Sequence, residues 1–588
     1  MSSRDKDVAT AEGSEIALSP WNRSFPLVLL PEFPAFSGTK LTYWLAFFVV
    51  LGVVARLVRY GLCFPLWGDE AFLAVNYLDR SFAEMLLPLE YHQFAPLGYL
   101  WLQLATVKLV GFHEWGLRLV ALLASFLAIA LYWQLCRRLF KGTTFLLAIA
   151  MFCVAYPVVR YSAEAKPYGT DLLVSLTWMV LLVEWLYRPE QKRWLAALLV
   201  FAPLSALLSL TTVFLGGATS IVLFAVFICQ RRWTALPWWL GISTAMTGVF
   251  FWHLKLMQPS LGGTRLEEMQ ETWSTTFPPS WESGQLIGWL AETFCSDIFM
   301  YPIGGANHGS ILTAISCVIA VVWLLRTKKY TMAGLLTLPL LLNIVAAFLH
   351  RYPLGGHVRF ALYYAPCVLL LHTFGIAVFV TWLSSRRIQL SKRTFYGLMA
   401  GCILIAVGSM ARDFVKPSKS YNEVRARGFA QWFWHDEGIE AELVCLHRDL
   451  GVTFSPLAYE WGYSSVYQCN RRIYSPRHAA GEPVRYDQVS NKHPLRCIEY
   501  FAPGYPYDEA KKAAWIAEME KDYQLTGIRR FPFPFYHKDR EYRRTDYLVV
   551  YEFMPLERSE SESAPRRSAE TIAREFHGKF DNAATQKR

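Results

Sequence analysis

Apolar residues gather in eleven long runs, near 41–61, 115–136, 143–160, 168–187, 194–210, 211–229, 235–257, 308–325, 330–349, 358–383 and 394–411. Each approaches the ~20 residues that carry a helix across a ~30 Å hydrocarbon core. A further apolar stretch, 96–111, contains Gln103 and Lys108. The pattern predicts a polytopic α-helical membrane protein with about 11 spans. Beyond residue 412 hydropathy falls and the period changes. "ELVCLH", "LRCIEYF" and "DYLVVYEF" read as strands, and "YNEVRARGFAQWFWH" and "DEAKKAAWIAEMEKDY" as helices. They predict a small C-terminal α/β domain over 412–556, followed by a polar tail, 557–588, too poor in apolar residues to fold.

Composition agrees with a membrane chain. The 588 residues are 54% apolar and only 18% charged, below the usual quarter of soluble domains, and the mean hydropathy is +0.23. The net charge of +11 would suggest nucleic acid in a soluble protein. Here the basic residues cluster in short loops, so they report topology, and no nucleic-acid partner is expected. Arg137, Arg138 and Lys141 follow the second run; Arg188, Lys192 and Arg193 the fourth; Arg386, Arg387, Lys392 and Arg393 the tenth. The stretch 258–307 instead holds Arg265 against Glu267, Glu268, Glu271, Glu282, Glu292 and Asp297. Basic loops belong in the cytoplasm. Alternation then gives a cytoplasmic tail over 1–40, a membrane domain over 41–411 with outer loops 62–114 and 258–307, and an extracytoplasmic C-terminus. The tail carries Asp5, Asp7, Glu12 and Glu15 and lacks the form of a signal peptide. On this count 96–111 cannot cross and is expected to lie at the interface as an amphipathic helix. The expected location is the plasma (inner) membrane. The eleven cysteines show no CxxC pair; a bridge between Cys469 and Cys497, with Cys445 as competing partner, and free thiols are both open.

The outer loops hold the candidate chemistry. "PLWGDEAF" places Asp69 and Glu70 side by side just past the first span. Adjacent carboxylates diverge, so one can face a pocket while the other binds a cation; a solvated acidic loop is the bland alternative. Arg56 and Arg59 near the end of that span are costly unless paired or facing a polar cavity. "YSAEAKPYGTDLL" packs Glu164, Lys166 and Asp171 between two spans. If Pro167 opens a helix, Tyr168 and Asp171 share a face, and Lys166 could meet an anion at the helix start. "RYPLGGHVRFALYYAP" brings His357 and Arg359 to the outer end of the tenth span, where Arg359 could grip a phosphate with both arms of its fork. Snorkelling to headgroups is the alternative. Glu90 and His92 in "EYHQFAPLGYLW" are candidate pocket residues or metal ligands, although a lone histidine is more often structural. There is no phosphate-binding P-loop, dinucleotide-binding glycine motif or nucleophile elbow.

In order and topology, "WGDE", "HQFAPLGYLWLQLATVKLVGFHEWGLRL", "YSAEAKPYGTDLL" and "RYPLGGHVRFALYYAP" resemble the glycosyltransferase C (GT-C) superfamily, in particular bacterial relatives of protein O-mannosyltransferases and lipid A aminoarabinose transferases. The resemblance spans roughly 41–411. It implies a sugar donor on a polyprenyl phosphate at the outer face, attacked by an acceptor hydroxyl of a glycan, lipid or protein. Asp69 would be general base or acceptor orienter, supported by Glu70. Lys166, Arg359 and Arg59 would hold the donor phosphate, with Glu164, Tyr168, Asp171, His357, Glu90 and His92 around the pocket. Where the family has an HPP-type run, this chain reads "QFAP" after His92, so the pocket there departs from the family and no cofactor is assigned beyond a candidate divalent metal. Two other classes stay open: a polysaccharide polymerase or ligase using a diphosphate-linked donor, and a lipid or sugar transporter. Sparse charge at mid-depth in the spans and the lack of inverted repeats speak against the transporter.

Overall fold

In the computed structural model of this chain, the described residues are 36–89, 93–261, 273–280, 284–303, 309–416, 427, 442–445, 454, 494–501, 507–536 and 543–556. All eleven apolar runs coincide with helices. In chain order the elements are α1 (Gly38–Gly61), the short α2 (Gly68–Ala74) and α3 (Asn76–Asp79), α4 (Leu97–Val110), α5 (Glu114–Leu139), α6 (Gly142–Val154), α7 (Tyr156–Arg160) and α8 (Tyr168–Tyr187). They continue with α9 (Arg193–Leu208), α10 (Thr212–Cys229), α11 (Leu236–Leu261), α12 (Leu286–Glu292), α13 (Gly309–Arg326), α14 (Tyr330–Phe348), α15 (Ala365–Arg386) and α16 (Ile388–Val415). Among the described residues, seven helices are long and apolar enough to cross a bilayer, or eight if the bent pair α6–α7 forms one span. The chain is thus a polytopic helical membrane protein. The expectation of eleven crossings is met in helix position, but length and hydropathy support seven or eight of them.

Three local features depart from the sequence pattern. The run 143–160 is not straight: α6 and α7 meet at 46°. Pro157 has no N–H to offer the Cys153 carbonyl one turn back, and its ring would clash with that carbonyl in a continuous helix. The buried Arg56 of α1 donates to the same carbonyl at 2.9 Å, and also to Gly52 O at 2.9 Å and Ser125 Oγ at 2.6 Å. Arg56 therefore closes the break rather than facing a ligand. Second, α4 is not amphipathic. Gln103 turns inward to donate to Leu117 O at 2.8 Å, while Leu102, Leu109 and Val110 are exposed. One face packs on protein, and the exposed side carries these apolar residues beside a single cation, Lys108. Third, α15 touches α13 at backbone distance. A Cβ on Gly375 would collide with the Ser316 carbonyl, so only glycine permits that approach.

Of the seven candidate spans, α8 is the most deeply buried, with 83% of its apolar window inside the protein. It stands at the centre and carries the loop with Glu164 and Lys166 at its start. The C-terminal sheet has strand order β1-β2-β4-β3, built from β1 (Glu442–Cys445), β2 (Leu495–Phe501), β3 (Tyr523–Tyr536) and β4 (Arg543–Pro555), with α17 (Glu509–Met519) between β2 and β3. β1 pairs parallel with β2, and β4 antiparallel with β2 and β3. The three expected strands and the second expected helix are present. β3 carries Pro532 and Pro534 and did not read as a strand; it lies at the sheet edge, paired only with β4, where missing N–H donors are tolerated. The N-terminal tail 1–35, the segment 557–588, most of the expected helix over 421–435, Cys469, Glu90 and His92 lie outside the described residues.

Candidate functional site

The loop after α1 is held by one buried ion pair. Arg118, inside the second apolar run, presents its fork to Glu70, Nε to Oε1 at 2.9 Å and NH2 to Oε2 at 2.7 Å. Its remaining donors reach the carbonyls of Phe64 and, at 3.2 Å, Pro65. Side-chain exposure is 3% for Arg118 and 2% for Glu70. Two backbone N–H groups also bind Glu70: Trp67 at 3.3 Å, as a carboxylate in the first turn of a helix accepts, and Ala165 at 2.7 Å. That last bond ties the loop after α1 to the loop before α8. Glu70 is therefore spent on structure, and the pair Arg118–Glu70 positions its neighbour Asp69.

Asp69 faces the other way. It forms an ion pair with Arg359, which lies 290 residues on. The guanidinium lies over the rings of Trp67 at 5.2 Å, Trp273 at 5.5 Å and Phe360 at 5.1 Å, a stacking geometry suited to arginine. Its Nε–H meets no acceptor among the described residues. The turn before Arg359 is fixed from the 273–298 region: Thr276 O accepts Leu354 N at 3.2 Å and Asp297 Oδ2 accepts Gly356 N at 2.7 Å. Gly356 has φ +82°, and a Cβ there would strike Thr276, so this corner requires glycine.

Lys166 lies in the loop before α8 and is buried, its Nζ donating to Gln93 Oε1 at 2.8 Å. Burial pulls its ammonium below the ordinary lysine value; Asp69, Glu164 and Glu70 act against this, and Arg359 with it. Those four groups thus converge on Lys166. Glu164 accepts the Trp67 indole N–H at 2.9 Å. Tyr168 sits edge-on to Tyr161 at 5.3 Å, within electrostatic reach of Arg359, Asp69 and Glu164.

Other expected site residues fall apart from this cluster. Asp171 is buried and accepts Ser209 Oγ at 2.6 Å, pinning the α9–α10 turn. His357 is exposed, at the N-terminal end of the short helix Val358–Ala361 that carries Arg359, 6.1 Å from the Phe360 ring. Arg59 pairs with Asp413 at 2.6 Å and donates to Arg160 O at 3.1 Å; in this state its charge is committed to α16. Among the described residues no three His, Cys, Asp or Glu side chains gather closely enough to hold a metal ion. Sequence reasoning passed over Arg118 and Trp273 and gave Trp67 no role of its own. A charge in an apolar run is the signal that would have found Arg118; the two tryptophans carry none.

The class is therefore a polytopic helical membrane protein with a cluster of opposed charges at one end of its bundle. Residues 95–253 match the model of a family described as dolichyl-phosphate-mannose-protein mannosyltransferase. No curated protein matches the sequence. Solved structures similar to this one include ArnT from Cupriavidus metallidurans bound to undecaprenyl phosphate, at 12% identity and TM-score 0.48 over 87% of this chain and 98% of that one. The same ArnT in the apo state matches at 13% identity and TM-score 0.49, with the same coverage. The Archaeoglobus fulgidus oligosaccharyltransferase in complex with Zn and sulfate matches at 10% identity and TM-score 0.39 over 82% of this chain and 72% of that one.

Proposed function

We propose that this chain is an integral-membrane glycosyltransferase that moves a sugar from a polyprenyl-monophosphate donor to an acceptor hydroxyl at the extracytoplasmic face. The observation that carries this reading is the Asp69–Arg359 ion pair with Lys166 in electrostatic reach of both. A substrate phosphate and the Asp69 carboxylate compete there for one guanidinium. The phosphate is drawn to Arg359 and Lys166, as charge-assisted hydrogen bonds to anions favour. As Arg359 turns to it, Asp69 loses the cation that stabilises its charge and becomes a stronger proton acceptor. Asp69 then takes the acceptor hydroxyl's proton while the oxygen attacks the anomeric carbon. The anomeric C–O bond to phosphate breaks, and the phosphate leaves with the electron pair, stabilised by the two cations. Two cations suit one phosphate better than two, and the donor named for the matched family is itself a monophosphate ester.

Purified protein in proteoliposomes, offered synthetic polyprenyl-monophosphate and polyprenyl-diphosphate sugars, tests the reading. Transfer from the monophosphate alone is expected, and Asp69→Asn lowers it by ~10²–10⁴ with the fold intact. Efficient use of the diphosphate would favour the polymerase or ligase reading. Near-normal turnover by Asp69→Asn would remove Asp69 from the chemistry. Loop charge supports an outward site, so a reporter fused after Lys416 should be active only if it is exported.

A further inference from the structure

A cavity of about 210 Å³ lies beside the Asp69–Arg359 pair, and neither of those two residues lines it. Trp67 stands between: it lines the cavity, and its ring also lies under Arg359. Five cations reach the cavity, Arg59, Arg118, Arg160, Arg412 and Lys416, against the carboxylates of Glu70, Glu164 and Asp413. Two of the cations are neutralised in place, Arg118 by Glu70 and Arg59 by Asp413. Glu164 lies within electrostatic reach of Arg160 and accepts from the Trp67 indole. Arg160, Arg412 and Lys416 make no ion pair among the described residues. Arg160 and Arg412 instead lie against aromatic rings, Arg160 over Tyr161 at 5.4 Å and Arg412 over Tyr156 at 4.9 Å. Three cations thus share the cavity with one further carboxylate, Glu164, an excess of positive charge that a bound anion would relieve.

The route into the cavity argues what carries the anion. One side of its wall is built from the ends of α1 and α16, with Arg59 on the first and Arg412, Asp413 and Lys416 at the end of the second. The flanks of those helices expose apolar side chains: Val54 (40%) and Leu57 (47%) on α1, Phe414 (62%) and Val415 (85%) on α16. Exposed apolar rows on candidate spans face lipid chains. A charged group on a lipid can enter here without its chains leaving the bilayer. We propose that this cavity is a second anion site, taking one phosphate headgroup whose lipid chains lie along α1 and α16. It stands independently of the transfer reaction proposed above, because it shares neither Arg359 nor Lys166.

The test is native mass spectrometry of the full-length protein in detergent, with phosphatidic acid, phosphatidylcholine and inorganic phosphate as probes. Phosphatidic acid should be retained over phosphatidylcholine, and Arg412→Gln/Lys416→Gln should weaken that retention by ~10–100-fold, as loss of charged hydrogen bonds to a phosphate does. Both residues are exposed, so the variant keeps its fold. Arg359→Ala should leave retention unchanged, which separates this site from the donor site. Equal retention of the two lipids, or indifference to the double substitution, overturns the site. Displacement of phosphatidic acid by equimolar inorganic phosphate overturns the lipid assignment, since the chains would then contribute nothing.

Discussion

Asp69 and Glu70 are neighbours in sequence with the same chemistry, yet their partners differ in kind. Glu70 meets Arg118 in a closed setting, both side chains at 3% exposure or less, with two backbone donors completing its shell. Asp69 meets Arg359 in a more open one, with side-chain exposures of 30% and 11%. A buried pair whose lone pairs are all occupied cannot exchange partners without leaving a bare charge behind. A partly open pair can trade its partner for a ligand. One turn of helix thus holds a fixed carboxylate beside an exchangeable one, and the first aims the second.

The sharpest way to break this comparison is to remove one side of the closed pair. Glu70→Ala leaves Arg118 buried without a counter-charge, which costs about 3–5 kcal/mol. Thermal unfolding in detergent should show the loss, and Glu70→Ala/Arg118→Ala should recover part of it. If Asp69→Ala destabilises as much, the contrast is wrong. The next test acts on the open pair: Arg359→Lys keeps the charge but gives up the fork and the stacking on Trp67, Trp273 and Phe360. Donor use should fall about 10- to 150-fold with the unfolding temperature little changed. Transfer kinetics alongside unfolding separate the two effects.

A smaller effect extends the contrast to the C-terminal sheet. Glu499 on β2 is buried and accepts from Tyr507 OH at 3.0 and 2.8 Å and from Tyr551 OH at 2.8 Å. Burial pushes its carboxyl up to about 7 from 4.5; the two tyrosine hydroxyls and Lys512 pull down, and Glu509 pushes up. The folded state therefore binds this proton more tightly than the unfolded state does. Its contribution to stability is fullest below about pH 4.5 and is lost as pH rises through about 7. Hydrogen exchange at β2 and β4 amides of the full-length protein should show opening that grows easier over that window. Glu499→Gln keeps an acceptor for the tyrosines and should flatten the dependence. Unlike Glu70, which meets the Arg118 fork, Glu499 is buried against two tyrosine hydroxyls.

The helices, their order and the charged loops that meet were legible because each rests on local pattern. A run of ~20 apolar residues is a helix in a bilayer whatever its neighbours do, and "WGDE", "YSAEAKPYGTD" and "RYPLGGHVRF" stood out because charge is rare in such a chain. That adjacent carboxylates would diverge was also readable. Which of them would face the pocket was not: Glu70 turns inward because Arg118 is there, and the pairing depends on how α5 packs beside α2. Arg56 and Arg59 looked alike as charges one turn apart. Packing gave Arg56 the carbonyl that Pro157 leaves without a donor, and gave Arg59 to Asp413 on the last helix of the bundle. Spacing within one helix sets which face a side chain takes, but partners tens or hundreds of residues away are chosen by how the helices assemble. The sequence by itself determined the membrane fold and the residue types available at one end of it; tertiary structure decided which charges close on each other, and which stay open to a ligand.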